Sequence, residues 1–166
     1  MENLSNRYAE SLFLESQDKK VILSYLKDLS KIYEMTDFKS MMNSPRIKNE
    51  EKLSVIYEIL KPNELFERFL NLLVKEERFS LIGEIAEKYE EMFDKENKIL
   101  NVLISSPLKL SEEDISKILE KYKGLYQASE VTYKEVIDKS LIGGVKVTVN
   151  GVVYDGTIRT KLNEML

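Results

Sequence analysis

The sequence predicts a mainly α protein with a smaller α/β part: an N-terminal six-helix bundle followed by a small C-terminal α/β domain with a β-hairpin and a closing helix. Three observations carry this. Apolar residues recur at helical spacing nearly throughout residues 1–98. At Ile99 the period changes from helical to extended, just after the polar run Asp94-Lys95-Glu96-Asn97-Lys98. Finally, Asn150-Gly151 between two valine-rich runs is the pair that a two-residue type I′ turn requires, since both central positions need positive φ.

The spacing predicts a first helix over about Asn3 to Glu15, with Leu4, Tyr8 and Leu12 at successive i+4 positions, Ser11 beside them, and Ala9 and Phe13 on a second strip. Helix two carries the stripe Ile22, Tyr25, Leu26, Leu29, Ile32 and Tyr33. A short segment with Phe38, Met41 and Met42 stops at Asn43-Ser44-Pro45, because the residue before proline is pushed out of the α region. Helix four starts near Asn49 and buries Leu53, Ile56, Tyr57 and Leu60 before Lys61-Pro62-Asn63. In helix five, Leu65, Phe66, Phe69, Leu70, Leu72, Leu73 and Val74 cover almost the whole circumference, which predicts a helix contacted on two sides. Leu81, Ile82, Ile85, Ala86, Tyr89, Met92 and Phe93 form the stripe of helix six.

The second part, residues 99–166, opens with a strand from Ile99 to Ile104 that ends at Ser105-Ser106-Pro107. Ser111 with Asp114 resembles a capping box opening a helix that buries Ile115, Ile118, Leu119, Tyr122 and Leu125. A strand resumes at Val131-Thr132-Tyr133 toward Ile137. In the hairpin, Val149 opposite Val152 places Val147 opposite Tyr154 and Lys146 opposite Asp155, so that Val145, Val147, Val149, Val152 and Tyr154 share an apolar face. After Asp155-Gly156, Thr157 is the expected N-cap of a helix whose Ile158, Leu162 and Met165 fold back on the hairpin.

Composition narrows the function. The 166 residues include no histidine and no cysteine, which removes the commonest general base, the usual zinc ligands, Cys and Ser/His nucleophile systems and any disulfide. Residues 1–98 hold 16 Lys+Arg against 20 Asp+Glu and residues 99–166 hold 9 against 9, summing to the net −4. Neither part has the concentrated positive face that nucleic-acid binding needs. No stretch approaches the ~20 apolar residues that span a bilayer, and the N-terminus lacks a basic segment followed by an apolar run, so a soluble chain without bilayer insertion is expected. Gly143, Gly144, Asp155 and Gly156 fit no GxGxxG or GxxxxGK[ST] spacing and are read as turn formers. Glu76, Glu77, Glu90 and Glu91 lie on charged helical faces with no partner base, as surface and not as a catalytic pair.

Gly143-Gly144 followed by the hairpin and by Asp155-Gly156-Thr157-Ile158-Arg159-Thr160-Lys161-Leu162 resembles the δ subunit of F-type ATP synthases, whose mitochondrial relative is the oligomycin-sensitivity-conferring protein. Arg7-Tyr8-Ala9 with Ser11-Leu12-Phe13, Ser44-Pro45 with Glu51-Lys52, and Val102 to Leu110 are similar to further family segments in the same order. Gly143, Gly144, Asn150, Gly151, Asp155, Gly156 and Thr157 form the fold signature. One departure is Glu76-Glu77-Arg78-Phe79 where members often have Asn-Gly-Arg-Leu, so that a turn must form there without glycine.

The resemblance implies a non-catalytic stator subunit that needs no cofactor and no metal and acts as a monomer within a hetero-oligomer. It couples ion translocation and rotation to ATP synthesis from the cytoplasmic face of the plasma membrane. By the same resemblance, residues 1–98 hold N-terminal helices of α subunits of the catalytic head in a groove between helices one and five, lined here by Tyr8, Ser11, Leu12, Phe69, Leu72 and Leu73. Residues 99–166 engage the b subunits of the peripheral stalk. Arg159 and Lys161 are candidates to touch acidic residues of the stalk, with a solvated helix face as the alternative, and the alternative for the six groove residues is ordinary bundle core. For the whole chain the alternative is an acidic helical regulatory or RNA-associated adaptor; an enzyme is disfavoured by the missing His, Cys and nucleotide loops.

Overall fold

The computed structural model describes residues 3–165, with residues 158–160 described by their backbone alone. It is mainly helical with a small four-stranded sheet, and it divides into two compact units, the first ending at Phe93 and the second beginning at Asp94. The first unit holds the helices α1 (Leu4–Glu15), α2 (Lys19–Tyr33), α3 (Thr36–Asn43), α4 (Asn49–Leu60) and α5 (Glu64–Lys75) and the greater part of α6 (Ile82–Asn97), which runs past Phe93 and is preceded by a 3-10 turn, Phe79–Leu81. The polar run at 94–97 is the last turn of α6 and not yet a linker; Lys98, in the left-handed region at φ 53°, makes the break.

Local chemistry sets the helix ends. Asn3, Asp18 and Asn63 cap α1, α2 and α5 by accepting from the amides of Ser5, Val21 and Phe66, which satisfies donors that the first turn leaves without partners. Pro45 and Pro62 stand in the breaks on either side of α4. The core gathers Ile22, Leu26, Leu29, Ile56, Phe66, Leu70, Leu73, Ile82, Ile85 and Tyr89, all buried to within about one part in a hundred. Rings tie it together edge to face, as Phe13 on Tyr89 at 5.2 Å and Tyr33 on Phe79 at 5.4 Å. Helix α5 does keep a solvent side, made by Arg68, Asn71 and Leu72.

The turn after α5 forms without glycine. Glu77 takes φ 56°, and the Arg78 amide reaches back to the Leu73 carbonyl at 2.8 Å while the Glu77 amide donates to Val74. This is the six-to-one closure in which glycine is usual; glutamate occupies the left-handed position at a steric cost of about 1–2 kcal/mol.

In the second unit, β1 (Ile99–Ser106), β2 (Glu130–Ile137), β3 (Lys146–Val149) and β4 (Val152–Asp155) form one sheet in the order β2-β1-β3-β4. β2 runs parallel to β1, and the helix α7 (Glu112–Tyr126) makes the crossover that parallel pairing requires. The hairpin register is the expected one, with Val149 opposite Val152, Val147 opposite Tyr154 and Lys146 opposite Asp155. Ser111 caps α7 through the Asp114 amide at 3.1 Å, but its hydroxyl also donates to the Asp114 carboxylate, so the reciprocal half of a capping box is absent. Leu100, Val102, Ile104, Val147 and Val149 make the core with Ile115 and Tyr122 of α7.

Three apolar expectations are not met, because among the described residues nothing covers these side chains. Val152, on the core-facing parity of the edge strand, is 52% exposed; Leu125 at the end of α7 is also exposed. The closing helix α8 (Ile158–Met165) forms, with the Lys161 amide bonded to the Thr157 carbonyl, yet its Leu162 and Met165 face water instead of folding back. The side chain of Ile158, also assigned to that packing, and that of Arg159 lie outside the described residues.

Candidate functional site

Two helices of the first unit present matching stripes. From α1 come Tyr8, Ser11, Leu12 and Glu15; from α5 come Leu65, Arg68, Phe69 and Leu72. Each set has the spacing i, i+3, i+4, i+7, one face of a helix over two turns. Between them lies an open groove of about 170 Å³. Its floor is firm: Leu12 and Phe69 are nearly buried, and Ala9 and Leu70 beneath are fully so. Its rim is accessible, with Leu72 44% exposed.

Tyr8, Ser11, Leu12, Phe69 and Leu72 thus come together on one surface. Leu73 does not: it is fully buried in the core of the first unit and has no surface to offer a partner. An all-round apolar helix leaves its outward direction undetermined in the sequence, and the hundred-degree step from Leu72 to Leu73 turns one outward and the other in.

Polar contacts hold the groove in shape. The Tyr8 ring meets Phe69 edge-on at 6.4 Å, and Arg78 Nη1 donates to the Tyr8 hydroxyl at 2.8 Å. That bond is the main cause of a raised Arg78 pKa. At the start of α1, the buried Ser5 hydroxyl donates to the Glu84 carboxylate at 2.6 Å. No local pattern announces either pair, because the partners stand 70 and 79 residues apart.

Further grooves lie among the described residues. One of about 570 Å³ lies between α4 and α5, lined by Glu50, Glu58 and Glu67 around Tyr57, whose hydroxyl accepts from Asn71 Nδ2 at 2.8 Å. Burial, and then the nearby Glu67 charge, push the Tyr57 pKa up. The other, about 600 Å³, lies between α7 and β2, with Ile115, Leu119, Val131 and Tyr133 among its lining.

The signature residues of the second unit serve geometry. Asn150 and Gly151 take φ 46° and 84°, the type I′ pair. Asn150 does more than turn: its amide donates to the Asn101 carbonyl and its side-chain oxygen accepts from the Asn101 amide, both at 3.1 Å, pinning the hairpin tip to β1. Gly143 precedes Gly144, which sits at φ 78°, where a Cβ would lie 2.5 Å from the Gly156 carbonyl oxygen. Gly156 donates to the Val145 carbonyl at 3.0 Å, and Asp155 accepts from the Thr157 amide at 2.9 Å. Among the described residues no group of three or more Asp, Glu, His or Cys is placed to hold a metal, and no helix is long and apolar enough to cross a membrane.

Leucines, aromatic rings, the hydroxyls of Tyr8 and Ser11 and two rim charges can bury the apolar face of another helix; they hold no activated nucleophile or acid–base pair. A groove of this shape and lining is the kind that takes an amphipathic helix, the mark of a binding subunit more than of an enzyme. The family model for the ATP synthase delta (OSCP) subunit matches residues 4–166. ATP synthase subunit delta of Acetivibrio thermocellus is 36% identical over 98% of this chain and 94% of its own length. The same subunit of Clostridioides difficile is 31% identical over 98% and 93%. Among solved structures, a chain in the Toxoplasma gondii mitochondrial ATP synthase hexamer shares the fold, with a TM-score of 0.78 at 19% identity, over 99% of this chain and 96% of that one. The chain belongs to the ATP synthase delta (OSCP) subunit family. It is a non-catalytic subunit of an F-type ATP synthase and a component of its peripheral stalk.

Proposed function

We propose that this chain is the joint between head and stalk, with the six helices of residues 1–98 as one bundle that takes an amphipathic N-terminal helix of an α subunit in the α1–α5 groove. Residues 99–166 engage the b subunits of the stalk, and the assembly stands at the cytoplasmic face of the plasma membrane. The observation that carries the reading is the pair of i, i+3, i+4, i+7 stripes facing one open groove, a shape that suits a helix and no extended chain. A docked apolar stripe removes Leu72 and the Tyr8 ring from water at a surface whose floor is already packed.

A stator must resist rotor torque, so slow dissociation matters more than fast capture. Nanomolar strength corresponds to about −12 kcal/mol, which several apolar anchors in a firm groove can supply. Reconstitution tests the role: membranes depleted of this chain should hydrolyse ATP without driving ion transport, and adding it back should restore transport. Full transport in its absence would refute the joint.

A further inference from the structure

Arg78 is not among the residues that line the groove, but its side chain reaches the wall that α1 makes. Its Nη1 donates to the Tyr8 hydroxyl at 2.8 Å, and its guanidinium carbon lies 6.0 Å from the centre of the Tyr8 ring. Tyr8 in turn meets Phe69, which floors the groove. The backbone that carries Arg78 is fixed on both sides. Its own amide closes the turn onto Leu73, and the next residue, Phe79, is buried against Tyr33 and Phe38. The guanidinium therefore projects from a rigid turn and not from a mobile loop.

We propose that Arg78 is a positioning residue for partner binding: it locks the Tyr8 ring against Phe69 and, by occupying a lone pair of the Tyr8 oxygen, leaves the hydroxyl hydrogen to be donated to an acceptor on the docked helix. This rests on the groove reading given above. A phenol that accepts from a cation has one hydrogen left to give, and the cation polarises the O–H so that it donates more strongly. The chemistry that satisfies it is a carbonyl left open at a helix C-terminus, or a Gln, Asn or carboxylate side chain. Charge favours the same choice, since the guanidinium beside it disfavours a cationic partner group at this end.

The test uses the full chain and a synthetic peptide of the α-subunit N-terminal helix, titrated calorimetrically. Arg78→Gln should weaken the peptide about five- to ten-fold, Arg78→Lys less, and Tyr8→Phe by a similar factor to Arg78→Gln; in the Tyr8→Phe background Arg78→Gln should change affinity less than about two-fold, because the two act through one bond. Additive losses in the double variant would overturn the proposal. A readout without the peptide separates this inference from the groove reading: with 3-fluorotyrosine at position 8, Arg78→Gln should shift and broaden the fluorine resonance while thermal unfolding stays cooperative. An unmoved resonance overturns the positioning role even where the peptide binds. Failure of the unaltered chain to bind the peptide overturns the groove reading and the hydroxyl's role together.

Discussion

Replacing Leu72 with aspartate separates groove from core within a single helical turn. Leu72 is 44% exposed in the free protein. Full burial of a leucine side chain is worth about 1.5–3 kcal/mol, so the exposed share leaves about 0.7–1.3 kcal/mol to be gained on docking. A carboxylate set against an apolar partner adds about 1–3 kcal/mol of uncompensated desolvation. Leu72→Asp should therefore weaken the α-subunit peptide by about 2–4 kcal/mol, some thirty- to thousand-fold, while lowering folding stability by only about 1–2 kcal/mol, the share already buried. Leu73→Ala should do the reverse: the residue is fully buried, so the loss of about 2–5 kcal/mol falls on stability. Calorimetric titration and thermal unfolding of the same samples read both quantities. Glu84 is unsuited as a neutral control because it holds Ser5 at 2.6 Å; Asp28→Asn on the exposed face of α2 serves instead. An affinity of Leu72→Asp within about two-fold of that of Asp28→Asn would refute the reasoning.

Glu77→Gly should raise stability by about 0.5–1 kcal/mol, since relief of left-handed strain exceeds the extra entropy of glycine in the unfolded chain; an unchanged or lower melting temperature contradicts it. Gly144→Ala and Gly151→Ala both meet positive φ, but a Cβ at Gly144 would lie 2.5 Å from a backbone oxygen whereas Gly151 has open space. The first should cost about 3 kcal/mol or more and the second about 1–2 kcal/mol, read by hydrogen exchange of the β3 and β4 amides; equal costs would remove the close approach as the cause. The Asp138 carboxyl is held below its ordinary range by hydrogen bonds from the Ser140 hydroxyl and amide. A depressed folded pKa gives stability that is present above about pH 4 and lost as the pH falls through the folded value. The stability difference between the unaltered chain and Asp138→Asn should therefore be steady near neutrality and shrink in acid, and a difference that grows in acid would contradict the assignment.

How much was legible in the sequence depends on the range of the interaction that decides each feature. Asn150-Gly151 fixed the hairpin register correctly because turn geometry and alternation are local. Helix existence followed from period, and proline and asparagine marked the breaks. The end of α6 was less readable, since a polar run serves equally as linker or as an exposed last turn. Outward and inward directions on α5 are not readable where nearly every position is apolar, so the sequence alone does not separate the exposed Leu72 from the buried Leu73. Val152, Leu162 and Met165 show the converse limit, for an apolar pattern states what a face can bury and not whether anything arrives to cover it. Arg78 with Tyr8 and Glu84 with Ser5 join residues far apart in the chain, and no spacing rule reaches them.

The most direct measurement is a chemical-shift map of the full chain titrated with the α-subunit N-terminal peptide. Docking in the α1–α5 groove predicts saturable shifts centred on Tyr8, Ser11, Leu12, Phe69 and Leu72, with Leu73 moving little. Shifts centred instead on Tyr57, Glu67 and Asn71 of the α4–α5 groove, or no saturable shifts at all, would contradict it.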